Sequence, residues 1–157
     1  MPIRAVMLDV DGVLTDGTFW WGPGGEELKR FSFSDVMGIA RAQRTGAIFA
    51  LVSGEDGMIA ERLARKLAIS DCFLNCKDKA GAVRGFASER RLDLAEVCFM
   101  GNDVNDLSAM ELVGFSAAPV DAEPVVRARA CFISTRAAGH GAVRDLIEHL
   151  FPEALKR

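Results

Sequence analysis

The sequence predicts an α/β domain built on a doubly wound, Rossmann-like parallel sheet. Short apolar runs alternate with helical patterns along nearly the whole chain. Such alternation implies parallel strands with helices covering both faces. The chain has 157 residues, which suits a single domain over residues 1–157 with a sizeable core. Ligands of such sheets gather at the carboxyl ends of the strands, so the residues just past each strand are the place to look for function.

Ile3–Leu8 reads as the first buried strand. Residues 18–33 then interrupt the alternation. Thr18–Trp21 and Glu27–Phe33 read as two short strands joined by Gly22-Pro23-Gly24-Gly25, which carries hairpin turn chemistry. Phe19, Trp20 and Trp21 in a row put rings on both faces of this hairpin. It either folds back on its own domain or forms an interface with a partner. Val36–Arg44 reads as a helix, Ile48–Val52 as a strand and Met58–Leu67 as a helix. Ala80–Arg90 is helical in pattern, and Val97–Met100 is a strand. Asp106–Val113, Phe115–Ala117, Glu123–Ala130 and Cys131–Ser134 follow as helix, strand, helix and strand. A helix over Ala142–Leu150 comes last, before Pro152. No internal repeat or low-complexity segment stands out.

The composition is 50% apolar and 26% charged, the balance of an ordinary globular protein. A net charge of −3 gives no support to a nucleic-acid surface, so an anionic substrate needs a local cluster of donors. Met1–Arg4 runs directly into the first strand, and the apolar runs are too short to span a bilayer. Neither a leader nor a membrane role is expected. Cys72, Cys76, Cys98 and Cys131 lack metal-ligand spacing and read as buried reduced thiols, in keeping with a cytoplasmic location. His140 and His149 are too scattered to form a metal site.

The first strand ends in Asp9-Val10-Asp11-Gly12. A backbone turn at Gly12 lets both carboxylates face one crevice. Asp9 has the chemistry of a nucleophile toward phosphorus. Asp11 can protonate a leaving alcohol and later deprotonate water. Alone, the same residues also suit a solvated Asp-Gly turn. Ile48–Val52 runs into Ser53-Gly54-Glu55, a turn opening a helix, whose start offers N–H groups to a phosphate, although it is also a common cap. Lys79 stands at another helix start, where its charge can offset crowding between Asp9 and a phosphate. Val97–Met100 ends in Gly101-Asn102-Asp103-Val104-Asn105-Asp106, a source of oxygen ligands for a hard cation such as Mg²⁺.

These four blocks, in order at successive strand ends, resemble the motifs of haloacid dehalogenase phosphatases. The resemblance implies Mg²⁺ held by the Asp9 side chain, the Asp11 carbonyl and the residue at position 102. It also implies phosphate binding by Ser53, the Gly54 amide and Lys79. Position 102 is usually Asp in that family. Asn102 keeps an amide oxygen but removes one negative charge, so weaker metal binding is expected, with Asp103 and Asp106 in outer supporting roles. Only 43 residues separate Asp9 from Ser53, and 25 separate Ser53 from Lys79, so no cap domain fits between the motifs.

Thr15-Asp16-Gly17, Phe33-Ser34-Asp35, Gly38-Ile39 and Gly139-His140-Gly141-Ala142-Val143-Arg144 resemble the capless, hairpin-bearing branch of that family. The branch acts on phosphorylated sugar acids. Its likeness implies a homotetramer assembled through the hairpin. Glu55 and Lys66 resemble phosphatases of a nine-carbon 2-keto-3-deoxy acid 9-phosphate. Phosphatases of 3-deoxy-D-manno-octulosonate 8-phosphate resemble one another in carrying Arg where this chain has Glu55 and Leu63. The nine-carbon ester is therefore the expected substrate, and the octulosonate ester is the alternative. Lys66 lies eleven residues beyond Glu55. That span is about 16 Å along a helix, so Lys66 is expected to reach a neighbour's site. Two other classes stand beside the enzyme. One is a weakly catalytic tetramerisation module of the kind attached to acylneuraminate cytidylyltransferases, which Asn102 favours. The other is a phosphoacceptor domain, whose acceptor Asp lies on a middle strand and which does not need Asp11.

Overall fold

The computed structural model describes residues 1–156. Strand β1 spans Ala5–Asp9, and the hairpin consists of β2, Trp20–Trp21, and β3, Glu27–Leu28. Helix α1, Phe33–Arg44, leads to β4, Ile48–Val52, then to α2, Met58–Lys66, and β5, Asp71–Phe73. Helix α3, Lys79–Arg90, precedes β6, Val97–Met100, then α4, Leu107–Met110, and β7, Phe115–Ala118. The short helix α5, Pro124–Arg127, β8, Phe132–Ile133, and α6, Ala142–Leu150, complete the order.

Six strands form one parallel sheet in the order β5-β4-β1-β6-β7-β8. The chain moves from β1 outward through β4 and β5, then crosses back to β6 on the other side. Its direction of winding therefore reverses beside β1, and the crevice past the ends of β1, β4 and β6 is where such sheets bind ligands. In register, Asp9 stands opposite Val52, and Leu8 opposite Met100.

The central strands are buried on both sides, which explains their unbroken apolar runs. Val6, Leu8, Phe49, Leu51, Cys98 and Met100 pack under α1, α2 and α6 with Ile39, Leu63, Leu146 and Ile147. The alternate residues, Met7, Ala50, Val52 and Phe99, pack with Val83 and Phe86 of α3, Ala109 of α4 and Val126 of α5. Phe86 and Phe99 are fully buried, and truncating either to Ala costs about 3–5 kcal/mol.

Two segments recognised separately in the sequence meet in space. Helix α6 starts at a left-handed Gly141 with no side-chain cap of its own. Asp35, from the first turn of α1, supplies one from across the fold, its Oδ1 accepting from the Arg144 N–H at 2.8 Å. Burial pushes the Asp35 carboxyl up to about 6, although the α6 amides pull it back.

Several expectations change. The hairpin strands are only two residues each, because Lys29 and Arg30 leave the ladder and return through a bridge between Thr15 and Phe31. Phe33 begins α1 instead of ending a strand. Asp71–Phe73 is the edge strand for which the 25 residues between Ser53 and Lys79 left room, although no clear apolar run marked its place. Cys98 is buried, but Cys72 and Cys76 are only half-buried and Cys131 is exposed; all four are free thiols. Among the described residues, no helix is long and apolar enough to cross a membrane.

Candidate active site

A crevice of about 430 Å³ opens at the reversal point, lined among others by Asp9, Asp11, Lys79, Asn102 and the hairpin residue Trp21. Asp9 ends β1 and is buried. Past it the chain makes a wide turn, closed by Thr15 N–H donating to the Val10 carbonyl at 3.0 Å. Gly12 sits in this turn at φ 85°, and a Cβ there would overlap the Asn102 amide. Glycine is required at this position for both reasons. The buried Thr15 hydroxyl accepts from the Gly12 and Gly17 amides, each at 3.1 Å, and so fixes the loop that carries Asp11.

Lys79 opens α3 and is buried with 2% of its side chain exposed. Its Nζ donates to Asp9 Oδ1 at 2.8 Å and to Asp106 Oδ1 at 2.6 Å. Asp106 is fully buried, and its other oxygen accepts from the Asn102 and Asp103 amides at 2.9 and 3.2 Å. One carboxylate thus orients the lysine and shapes the loop after β6. Burial, followed by the charge of Asp106, pushes the Asp9 carboxyl up to about 7, while Lys79 pulls it back. Burial disfavours the Lys79 charge, but Asp9 and Asp106 outweigh it and hold the ammonium above its ordinary value.

The Asn102 amide faces Asp9 Oδ2 at 2.9 Å and the Asp11 carbonyl at 3.1 Å. With its NH₂ turned inward it donates to both oxygens. With its carbonyl turned inward, three oxygens converge. Adjacent ligand oxygens of an octahedral Mg²⁺ with bonds near 2.1 Å lie about 3.0 Å apart, so these two separations from Asn102 suit such an ion. Asp9, the Asp11 carbonyl and Asn102 could therefore hold a hard cation. Among the described residues, no group of three His, Cys, Asp or Glu side chains offers an alternative.

Ser53 follows β4 and is buried, and its Oγ accepts from the Glu55 amide at 3.1 Å. The hydroxyl proton is left available to a ligand oxygen. Helix α2 starts only at Met58, with Gly57 at its cap. The expected turn opening directly into a helix is instead a loop, braced by Lys77 Nζ on the Gly54 carbonyl at 2.7 Å. Glu55 is exposed on the crevice wall with Gly54, Asp103 and Asn105. Lys66 is exposed at the far end of α2, outside the lining of this crevice.

The hairpin contributes what sequence reasoning missed. Lys29 Nζ reaches Asp11 Oδ1 at 2.8 Å and Glu27 Oε1 at 3.4 Å. Burial lowers the Lys29 ammonium, but Asp11 and Glu27 outweigh that and hold it above its usual value. Trp21 Nε1 donates to Glu27 Oε2 at 3.1 Å, and its ring lies 5.1 Å from that of Phe19. Phe19, Trp21, Glu27 and Lys29 all line the crevice. Trp20 and its cross-strand partner Leu28 are exposed and absent from that lining. Period-two alternation from the paired Trp21 and Glu27 was the available signal for this division.

A second cavity, lined by Arg41, Arg44, Thr45, Glu153 and Ala154, lies where α1 ends, away from the strand carboxyl ends. It contains none of the motif residues.

A family profile described as haloacid dehalogenase-like hydrolase matches residues 75–146. The 3-deoxy-D-manno-octulosonate 8-phosphate phosphatase of Escherichia coli (strain K12) is 34% identical over 148 residues, 94% of this chain and 79% of that protein. The N-acylneuraminate cytidylyltransferase of Oncorhynchus mykiss is 36% identical over 151 residues, again 94% of this chain but only 35% of the longer protein. Among solved structures, the octulosonate 8-phosphate phosphatase of Moraxella catarrhalis, in complex with magnesium ion, phosphate ion and KDO, superposes with a TM-score of 0.93 at 30% identity. That superposition covers 98% of this chain and 88% of the other.

Proposed function

Since this chain belongs to the haloacid dehalogenase-like hydrolases and is a phosphatase, we propose that it removes the terminal phosphate of a 2-keto-3-deoxy sugar acid through an aspartyl phosphate on Asp9. The observation that carries this reading is the buried Lys79, which joins Asp9 to Asp106 beside the three oxygens of Asp9, Asp11 and Asn102.

Asp9 Oδ2 faces the oxygens that would hold the metal, and Oδ1, held by Lys79, is left as the attacking atom. Oδ1 bonds to phosphorus as the ester P–O bond breaks, and Asp11 gives its proton to the departing alkoxide. Water then attacks the phosphorus, Asp11 takes its proton, and the P–O bond to Asp9 breaks. Ser53 and Lys79 donate to the phosphoryl oxygens. Bound Mg²⁺ would supply positive charge beside the phosphate and favour the Asp9 carboxylate over its protonated form.

The relatives support the octulosonate 8-phosphate as substrate ahead of the nine-carbon ester expected from the sequence. Glu55 on the crevice wall keeps the nine-carbon acid as a second reading. The deciding assay pairs Mg²⁺ with both sugar acid esters and with p-nitrophenyl phosphate. Chelation should abolish turnover and Mg²⁺ restore it, with a higher kcat/KM for a sugar acid ester than for the aryl phosphate. Absence of turnover on every ester would overturn the enzyme reading in favour of a tetramerisation module.

The outward face of the hairpin suits a second copy of this chain. Phe19, Trp20, Trp21 and Leu28 are all more than half exposed, Trp20 and Leu28 lie outside the crevice lining, and tryptophan is a typical anchor of protein contacts. We therefore propose a homotetramer joined through that face, with Lys66, which is exposed outside its own crevice, serving a neighbour's. In sedimentation, Trp20→Glu should yield smaller species than the wild type, and a monomeric wild type at micromolar concentration would refute the assembly.

A further inference from the structure

We propose that Lys29 is a positioning residue for the phosphatase reaction, holding Oδ1 of the Asp11 carboxyl group so that its other oxygen carries the proton exchanged with the leaving group. The proposal rests on the phosphatase reading above.

Asp11 needs such a support. It lies in an irregular turn with non-helical φ and ψ, and its side chain is 34% exposed. The Thr15 hydroxyl approaches only to 3.4 Å, whereas Lys29 Nζ lies at 2.8 Å. The bond from the ammonium is shorter and joins two charged groups, so it outweighs the long contact from an uncharged hydroxyl, and the direction of Asp11 is set chiefly from the hairpin.

Lys29 is itself constrained. Only 10% of its side chain is exposed, and Glu27 Oε1 flanks it at 3.4 Å. Glu27 in turn receives the Trp21 indole N–H. Trp21 and Glu27 are cross-strand partners, and Lys29 lies two residues beyond Glu27, on the same side of an extended chain. A line of contacts therefore runs Trp21–Glu27–Lys29–Asp11, from the rim of the crevice to the proton-transfer group. In a reacting site a displacement near 1 Å costs about 10²-fold, so a floppy Asp11 would be a poor acid even with its chemistry intact.

The same ion pair could instead only pin the hairpin down, or Lys29 could bind the substrate's carboxylate. Leaving-group dependence separates these roles. The kcat/KM value reports steps up to the first irreversible one, in which Asp11 protonates the departing oxygen. A p-nitrophenolate leaves without that proton, whereas a phenolate benefits from it. The experiment measures kcat/KM with Mg²⁺ for carboxylate-free aryl phosphates ranging from p-nitrophenyl to phenyl and p-methoxyphenyl.

Lys29→Met should lower the value for phenyl phosphate by about 10–100-fold, a portion of the usual worth of general acid catalysis. It should change p-nitrophenyl phosphate much less, so the dependence on leaving-group pKa steepens. Lys29→Arg, which keeps a cation within reach of Asp11, should restore the shallower wild-type dependence. Glu27→Gln should give a smaller steepening, and it carries the test if Lys29→Met does not fold. An equal fall on every ester, or no fall on any, overturns the positioning role. Failure of the wild type to hydrolyse any ester would instead strike the phosphatase reading itself.

Discussion

Asp9→Asn should abolish Mg²⁺-dependent turnover while leaving the fold intact. An amide cannot form the acyl phosphate, and removal of a covalent nucleophile costs on the order of 10⁴-fold or more in kcat. The substitution should be structurally mild. Asp9 is raised to about 7, chiefly by burial and then by the charge of Asp106, so its charged form is disfavoured in the folded protein. A neutral side chain of the same shape removes that penalty and leaves Lys79 its 2.6 Å partner in Asp106. The melting temperature in chelator at neutral pH should therefore match or exceed that of the wild type. Asp11→Asn should retain more activity, because general acid–base help is worth about 10²–10⁴-fold. Substantial turnover by Asp9→Asn, measured on p-nitrophenyl phosphate, would sink the covalent mechanism.

Lys79→Met should damage both stability and turnover. Lys79 is buried between Asp9 and the fully buried Asp106. Without the ammonium, the Asp9 and Asp106 carboxylates are left beside one another, both buried at the base of the crevice. Breaking a buried pair by removing one partner costs about 3–5 kcal/mol, and loss of a cation aimed at the transferring phosphoryl group costs about 10²–10³-fold in kcat. Adding Asp106→Asn separates the two effects. The amide oxygen that this second substitution leaves at position 106 can still accept from the Asn102 and Asp103 N–H groups, while one of the two stranded carboxylates, and the repulsion between them, is gone. The double variant should recover much of the lost stability and none of the lost turnover. If Lys79→Met alone melts like the wild type, the two carboxylates do not depend on Lys79 as their geometry requires.

Much of the site was readable because its parts are local. Asp9, Asp11 and the Gly101–Asp106 block lie within a few residues of strand ends marked by apolar runs, and Ser53 follows such a run directly. Lys79 was readable as a helix start, which Asp78 confirms by accepting from the Gly81 N–H at 2.8 Å. Lys29 was not readable. Within Glu26-Glu27-Leu28-Lys29-Arg30 it looks like one more charge on a solvated strand. Its partner Asp11 lies eighteen residues away, across a turn whose geometry depends on Gly12 and Thr15. Asp35 was legible only as part of a family resemblance, because the α6 amides it caps lie 109 residues downstream.

The amino-acid order alone settled the layered α/β class, the strand ends where the candidate site residues stand and the hairpin insert. Periodicity, turn residues and short motifs are properties of neighbouring residues, and burial acts on them one element at a time. Folding in three dimensions settled which strand ends share a crevice. It brings Lys79 to Asp9 across seventy positions and to Asp106 across twenty-seven. It also brought Lys29 of the hairpin to Asp11 and left Trp20 and Leu28 outside the crevice lining. These pairings depend on strand order and on the direction of a chain reversal, and no local pattern encodes either, because each is set by the packing of all six strands at once.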